Sequence, residues 1–80
     1  MRLDKYLKVS RIIKRRTVAN EACDNGRVLV NEKTARASYD VKIGDIITVE
    51  FGSRTVKVRV LDVNENAKKE QAAYMYEIIE

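Results

Sequence analysis

The stretch Val18-Ala19-Asn20-Glu21-Ala22-Cys23-Asp24-Asn25-Gly26-Arg27-Val28-Leu29-Val30 changes its hydrophobic period at Gly26, and that change decides the fold class. Before the glycine, Val18, Ala19, Ala22 and Cys23 recur at i, i+1, i+4 and i+5, the apolar stripe of a helix, with Asn20, Glu21, Asp24 and Asn25 turned outward. Glycine supplies the left-handed residue that closes such a helix at little steric cost. From Arg27 onward, short runs of branched aliphatic residues bounded by turn formers read as strands.

Toward the N-terminus, Leu3, Tyr6, Leu7, Ser10 and Ile13 fall within an arc of roughly 120° on a wheel of about 100° per residue, which predicts a first helix with one packed face. Lys5, Lys8, Arg11 and Arg15 occupy the opposite arc, beside Asp4, which is placed to pair with Lys8 one turn on. The run Lys14-Arg15-Arg16 is expected in the turn between the two helices. Toward the C-terminus, Asn31-Glu32-Lys33 reads as a tight turn, Thr34 to Ala37 as a short partner strand, and Lys42-Ile43-Gly44-Asp45 as a second turn. Residues 46–51 and 55–60 flank Gly52-Ser53 as a hairpin, with Val56, Val58 and Val60 inward and Thr55, Lys57 and Arg59 outward. A polar stretch over 62–66 leads to a short helix over 67–73 and a strand over 75–79. The fold class is therefore α+β: two N-terminal helices packed on a small twisted antiparallel sheet, with a short C-terminal helix. Eighty residues support one core, so the whole chain is expected to form a single domain.

A formal net charge of +4 conceals a segregation along the chain. Residues 1–16 carry seven cations (Arg2, Lys5, Lys8, Arg11, Lys14, Arg15 and Arg16) against Asp4 alone, a net of +6, while the other 64 residues carry nine cations against eleven carboxylates, a net of −2. A helix that is merely solvated mixes the two signs, and this one hardly does. A compact basic block on a slightly acidic body suits a polyphosphate backbone. Arginine strengthens that reading, because its planar fork pairs bidentately with phosphate oxygens.

Other function classes find little support. The chain has no histidine, no glycine-rich phosphate loop, and no serine or cysteine with a visible base partner, so an enzyme is not expected. A lone cysteine forms no internal disulfide, and Cys23 on its apolar stripe reads as a small buried hydrophobe. No metal and no cofactor are expected. No segment approaches the ~20 apolar residues that span a bilayer, so the expectation is a soluble, cytoplasmic protein that makes no use of a membrane.

The blocks Arg2-Leu3-Asp4-Lys5-Tyr6-Leu7, Arg16-Thr17-Val18-Ala19, Gly26-Arg27-Val28-Leu29-Val30-Asn31 and Asp40-Val41-Lys42-Ile43-Gly44-Asp45 together resemble the S4 RNA-binding domain family over residues 2 to about 51. The N-terminal run from Met1 to Thr17 and the later Lys68-Lys69-Glu70-Gln71-Ala72-Ala73-Tyr74-Met75-Tyr76 are similar to the ribosome-associated quality-control members of that family, which extends the likeness over nearly the whole chain.

This resemblance implies an S4-like (αL motif) fold, with residues 52–80 as a C-terminal hairpin and helix extension. It implies binding to a stalled large ribosomal subunit that still carries peptidyl-tRNA, with contacts to 23S rRNA and tRNA. It also implies support for the partner RqcH as alanines are added to the nascent chain, and a monomer off the ribosome. By position, Arg2, Arg11, Arg15 and Arg16 match the family's basic contact surface, and Thr17, Asn31, Lys33 and Arg36 lie at its edge. Two positions depart from the family pattern: Glu32 stands where glycine often follows the asparagine, and Ile43 where proline is common. All four tyrosines carry rings suited to base stacking, but Tyr6 lies on the apolar stripe and reads as core or subunit packing, and Tyr39, Tyr74 and Tyr76 are assigned neither role. The alternatives are a heat-shock or assembly factor of the same fold acting on large-subunit rRNA, a DNA-binding regulator and a peripheral membrane protein. The last conflicts with the need for Leu3, Tyr6, Leu7 and Ile13 in the core.

Overall fold

A computed structural model describes residues 1–79. The elements run α1 (Leu3–Val9), α2 (Arg16–Asp24), β1 (Val28–Val30), β2 (Lys33–Thr34), β3 (Ile46–Phe51), β4 (Arg54–Val60), α3 (Lys69–Ala72) and β5 (Tyr76–Ile78). The strands form one antiparallel sheet in the order β2-β1-β3-β4-β5. The expected α+β architecture and the strand near the C-terminus are both present.

Register explains why the helices lie on one face of the sheet. Val28 pairs with Val49, Val30 with Ile47, and Ile47 with Val58, so the buried aliphatics of three strands are cross-strand neighbours on a single face. Leu3, Tyr6, Leu7, Ile13, Ala19 and Cys23 join the same cluster from the helices. With 7 and 9 residues, α1 and α2 are shorter than the ~12–15 residues at which isolated helices persist in water, so this packing is what holds them. Tyr6 ties the two ends of the chain together. Its hydroxyl donates to the Met75 carbonyl at 2.7 Å in the core, and burial raises its pKa well above that of a free tyrosine.

The first helix is shorter than its apolar period predicts. It stops at Val9, and Ser10 and Ile13 reach the core from the following turn. Arg11 takes the left-handed position after the helix cap (φ 64°), donating its N–H to the Lys8 carbonyl, while the Ile13 N–H bonds back to Leu7. No glycine or proline marks this stop, and the periodic pattern runs straight through it. Arg11 and Arg15 therefore do not extend a helix face, and Arg16 is the first residue of α2 instead of a turn residue. The end of α2 follows the expected signal: Gly26 has φ 72°, the Gly26 N–H bonds to Cys23 and the Arg27 N–H to Ala22.

The turn at Asn31-Glu32 keeps the two-residue geometry that asparagine-glycine ordinarily provides, with φ of 52° and 71° at the two positions. Glu32 thus adopts a backbone conformation that costs a non-glycine residue about 1 kcal/mol. A side-chain latch accounts for it. Asn31 Nδ2 donates to Asp45 Oδ1 at 3.1 Å, and Asn31 Oδ1 accepts the Ile46 N–H at 3.0 Å. The buried Asp45 also accepts the Lys42 N–H and the Tyr39 hydroxyl, both at 2.9 Å. The partner strand spans only Lys33–Thr34, not Thr34 to Ala37, because the chain then leaves the sheet to pass beside Arg2, whose backbone bridges to Asp40. The third helix is likewise shorter than expected.

Candidate nucleic-acid interface

Asp4 sits in the first turn of α1 and is buried, and the structure turns it away from Lys8. Arg2 Nε donates to Asp4 Oδ1 at 3.1 Å, and Arg2 Nη2 approaches Oδ2 at 3.4 Å. From α2, Asn20 Nδ2 donates to Oδ2 at 3.1 Å, and Arg16 Nε lies 3.5 Å from the same oxygen. The Lys5 N–H completes the set at 2.8 Å. Burial raises the pKa of this carboxyl, but the hydrogen bonds from Arg2, Asn20 and Lys5 and the charge of Arg16 outweigh it, leaving the pKa below the usual aspartate value.

The consequence is a buried anion that carries two half-exposed guanidiniums on one patch. Arg2 is further fixed by its backbone. The Leu3 N–H bonds to Tyr39, the Asp4 N–H to Ala37, and the Val41 N–H to Met1, so the segment 37–41 clamps the entrance of α1. An arginine restrained in this way loses less conformational freedom when a phosphate binds to its free edge. Sequence reading selected Arg2 and Arg16 but not the residues that hold them. The helical period turns Asn20 outward and Val18 inward, yet Asn20 lies on the α1 side of α2 against Asp4 and Val18 is 47% exposed.

The start of α2 breaks a local rule. Arg15 is the N-cap without a side-chain cap, Arg16 and Thr17 follow, and no acidic residue occupies the first turn. Cations at the positive end of a helix are unfavourable, by about 0.3–1 kcal/mol each, and an anion bound there reverses the sign. Lys8, Arg11, Lys14 and Arg15 are exposed around the α1–α2 turn, and among the described residues no carboxylate pairs with them.

The remaining candidates separate. Lys5 reaches the other way, with Nζ 3.3 Å from Glu65. Asn31 has its side-chain amide engaged in the Asp45 latch. Lys33 and Arg36 are exposed on β2 and the segment after it, and Arg36 lines the same groove as Arg2, Asn20 and Ser38. Arg2 and Arg36 thus line one groove, and Arg16 and Thr17 line a second that meets it at Asn20. Cys23 is buried behind them, and burial, followed by the nearby charges of Asp4 and Asp24, pushes its thiol up to about 11. Among the described residues, no cluster of cysteine and carboxylate side chains is arranged to hold a metal ion, and no helix is long and apolar enough to cross a membrane.

Comparison with known proteins places these features. The model of the S4 domain family matches residues 1–47, the segment that contains Arg2, Asp4, Arg16, Asn20 and Arg36. An RQC P-site tRNA stabilizing factor from Streptococcus pneumoniae is 57% identical over 79 residues, covering 99% of this chain and 90% of the relative. A factor of the same name from Bacillus subtilis is 56% identical over 79 residues, covering 99% of this chain and 92% of the relative. Among solved structures, trimeric Heat Shock Protein 15 from Vibrio cholerae matches with a TM-score of 0.91 at 28% identity, over 99% of this chain and 81% of that one. By family model, by near full-length identity and by fold, this chain belongs to the S4 domain family, alongside the proteins named RQC P-site tRNA stabilizing factor.

Proposed function

We propose that this chain is a non-catalytic RNA-binding factor of ribosome-associated quality control. It binds the stalled large subunit that still carries peptidyl-tRNA and stabilises the P-site tRNA. Its basic face contacts tRNA and 23S rRNA, and it supports RqcH-dependent addition of alanine to the nascent chain. It acts in the cytoplasm as a single unit over residues 1–80, monomeric off the ribosome. The names of the near full-length relatives support the ribosomal setting. The observation that carries RNA binding is the pair Arg2 and Arg16 on the shared Asp4 carboxylate, with further cations at the α1–α2 turn that have no ion-pair partner among the described residues.

The mechanism follows from the geometry. Two restrained arginines and a helix N-terminus offer phosphate contacts at fixed spacing, which suits folded RNA, where phosphates converge and recognition proceeds through shape and backbone. Contacts made to one tRNA position and not to others shift the population toward that position, and no bond is formed or broken by the protein.

Co-sedimentation with large subunits tests the binding, and alanine tailing of stalled chains in cells lacking the protein tests the pathway. The expected results are salt-sensitive binding that the double variant Arg2→Ala, Arg16→Ala sharply weakens, and loss of tailing. Normal tailing without the protein would leave RNA binding standing but remove the pathway. The likeness to Heat Shock Protein 15 favours one other reading, a heat-shock-type factor of large-subunit rRNA. That reading expects equal binding to large subunits with and without peptidyl-tRNA.

A further inference from the structure

The segment 34–38 is a ridge with a groove on each side. The groove toward α2 holds Arg2 and Asn20 and also carries Asp24. The groove on the other side, with a volume of about 650 Å³, is lined by Val30, Lys33, Thr34, Arg36, Ser38 and Tyr39, among others, and by no carboxylate. That volume falls within the range of small-ligand sites, roughly 300–1,000 Å³.

The chemistry of this second groove is narrow because two of its polar groups are already engaged. The Tyr39 hydroxyl donates to Asp45 Oδ2 at 2.9 Å, so the free part of Tyr39 is its ring. Asn31, also on the wall, has its amide in the same latch. What stays available is two cations without an ion-pair partner among the described residues (Lys33 and Arg36), the hydroxyls of Thr34 and Ser38, and an apolar wall that includes a half-buried aromatic ring held in place through its hydroxyl. Cations, hydroxyls and a restrained aromatic complement the phosphate, ribose and base of one nucleotide, in the combination that single-stranded RNA sites use. A base inside a duplex is stacked on both faces and cannot enter.

We propose that this groove receives one unpaired nucleotide of the bound RNA, with its phosphate at Lys33 and Arg36 and its base against Tyr39. The inference rests on the RNA-binding reading and adds a second kind of recognition to it. Arg2 and Arg16 take the folded backbone, and the groove on the far side of the ridge selects RNA with a base turned out. Arg36 lines both grooves and so links the two contacts.

The test uses two RNA probes, a perfectly paired hairpin stem and the same stem with a single bulged adenosine. The wild-type protein is expected to bind the bulged stem about tenfold more tightly, the effect of one stacked base. An intermolecular NOE between the Tyr39 ring and the bulged adenine is expected in the complex. Tyr39→Leu is expected to remove the preference for the bulged stem, and Tyr39→Phe, which keeps the ring but loses its hydrogen bond to Asp45, to retain part of it. Should Tyr39→Leu fail to fold, the wild-type preference and the NOE still decide. Equal affinity for both stems, with no NOE to Tyr39, would overturn the groove proposal and leave the Arg2–Arg16 face untouched. Failure to bind either stem would overturn the RNA-binding reading as well.

Discussion

Arg16 stands 3.5 Å from the same Asp4 carboxylate that Arg2 grips at 3.1 Å, so the first residue of α2 and the residue before α1 share one buried anion. A carboxylate within a phosphate-binding face looks counterproductive. Its burial resolves this: Asp4 is beneath the face and the guanidiniums are on it.

The substitution Asp4→Asn separates anchoring from bulk charge. It raises the formal net charge from +4 to +5, so long-range attraction alone predicts tighter RNA binding. Loss of the anchor frees both arginines and predicts the opposite. We expect weaker binding by about 5- to 20-fold in a filter-binding titration, with a stability loss of about 1–2 kcal/mol in urea, since both arginines are half exposed and solvent screens part of the pairing. An affinity increase would show that the arginines need no anchor.

The same carboxyl makes stability depend on pH in a defined direction. Its pKa is lower in the folded protein than in the unfolded chain, so its stabilising contribution is complete above the ordinary aspartate pKa of 3.8 and disappears as pH falls through the folded value. The stability gap between wild type and Asp4→Asn should therefore be constant from pH 7 to about pH 5 and close below pH 3.8. Urea midpoints of the two proteins across this range measure it, and a gap that persisted at pH 2 would assign the effect to packing.

Arg2 and Arg16 should behave as a coupled pair. Each alanine substitution is expected to lower the salt dependence of RNA binding by about one phosphate contact. Because both arginines lean on one carboxylate, the double substitution should deviate from additivity by about 0.5 kcal/mol or more. Additive losses would mean that the shared anchor has no energetic role. Lys5→Ala, which breaks only the exposed pair with Glu65, serves as the comparison and should change affinity little.

Asn31 and Glu32 are expected to act on stability. Asn31→Gly keeps the left-handed backbone but removes both latch hydrogen bonds, and should cost about 1–2 kcal/mol of stability. Glu32→Gly relieves φ 71° and should gain up to about 1 kcal/mol, less the added entropy of a glycine in the unfolded chain. Thermal denaturation of the two variants gives shifts of opposite sign if the turn is read correctly.

Much of this protein is legible along the chain. Gly26 closes α2 because its φ needs no neighbour to explain it, and the alternation of Val56, Val58 and Val60 sets the face of β4, because strand periodicity is a property of the local backbone. The basic N-terminal block is equally visible, since charge adds along a sequence. The stop at Val9 is not visible, because Arg11 adopts a glycine-like conformation only so that Ile13 can reach the core. Nor is the Asp4 anchor. Helical spacing points Asp4 to Lys8, a surface pair worth a few tenths of a kcal/mol, whereas packing α2 against α1 offers Asn20 and Arg16 to a carboxylate out of water, where each hydrogen bond counts for more. The sequence by itself thus determined which cations exist and which elements carry them. Only the tertiary structure decided which of them share a face, because that depends on contacts between residues far apart in the chain and on which charges are removed from water.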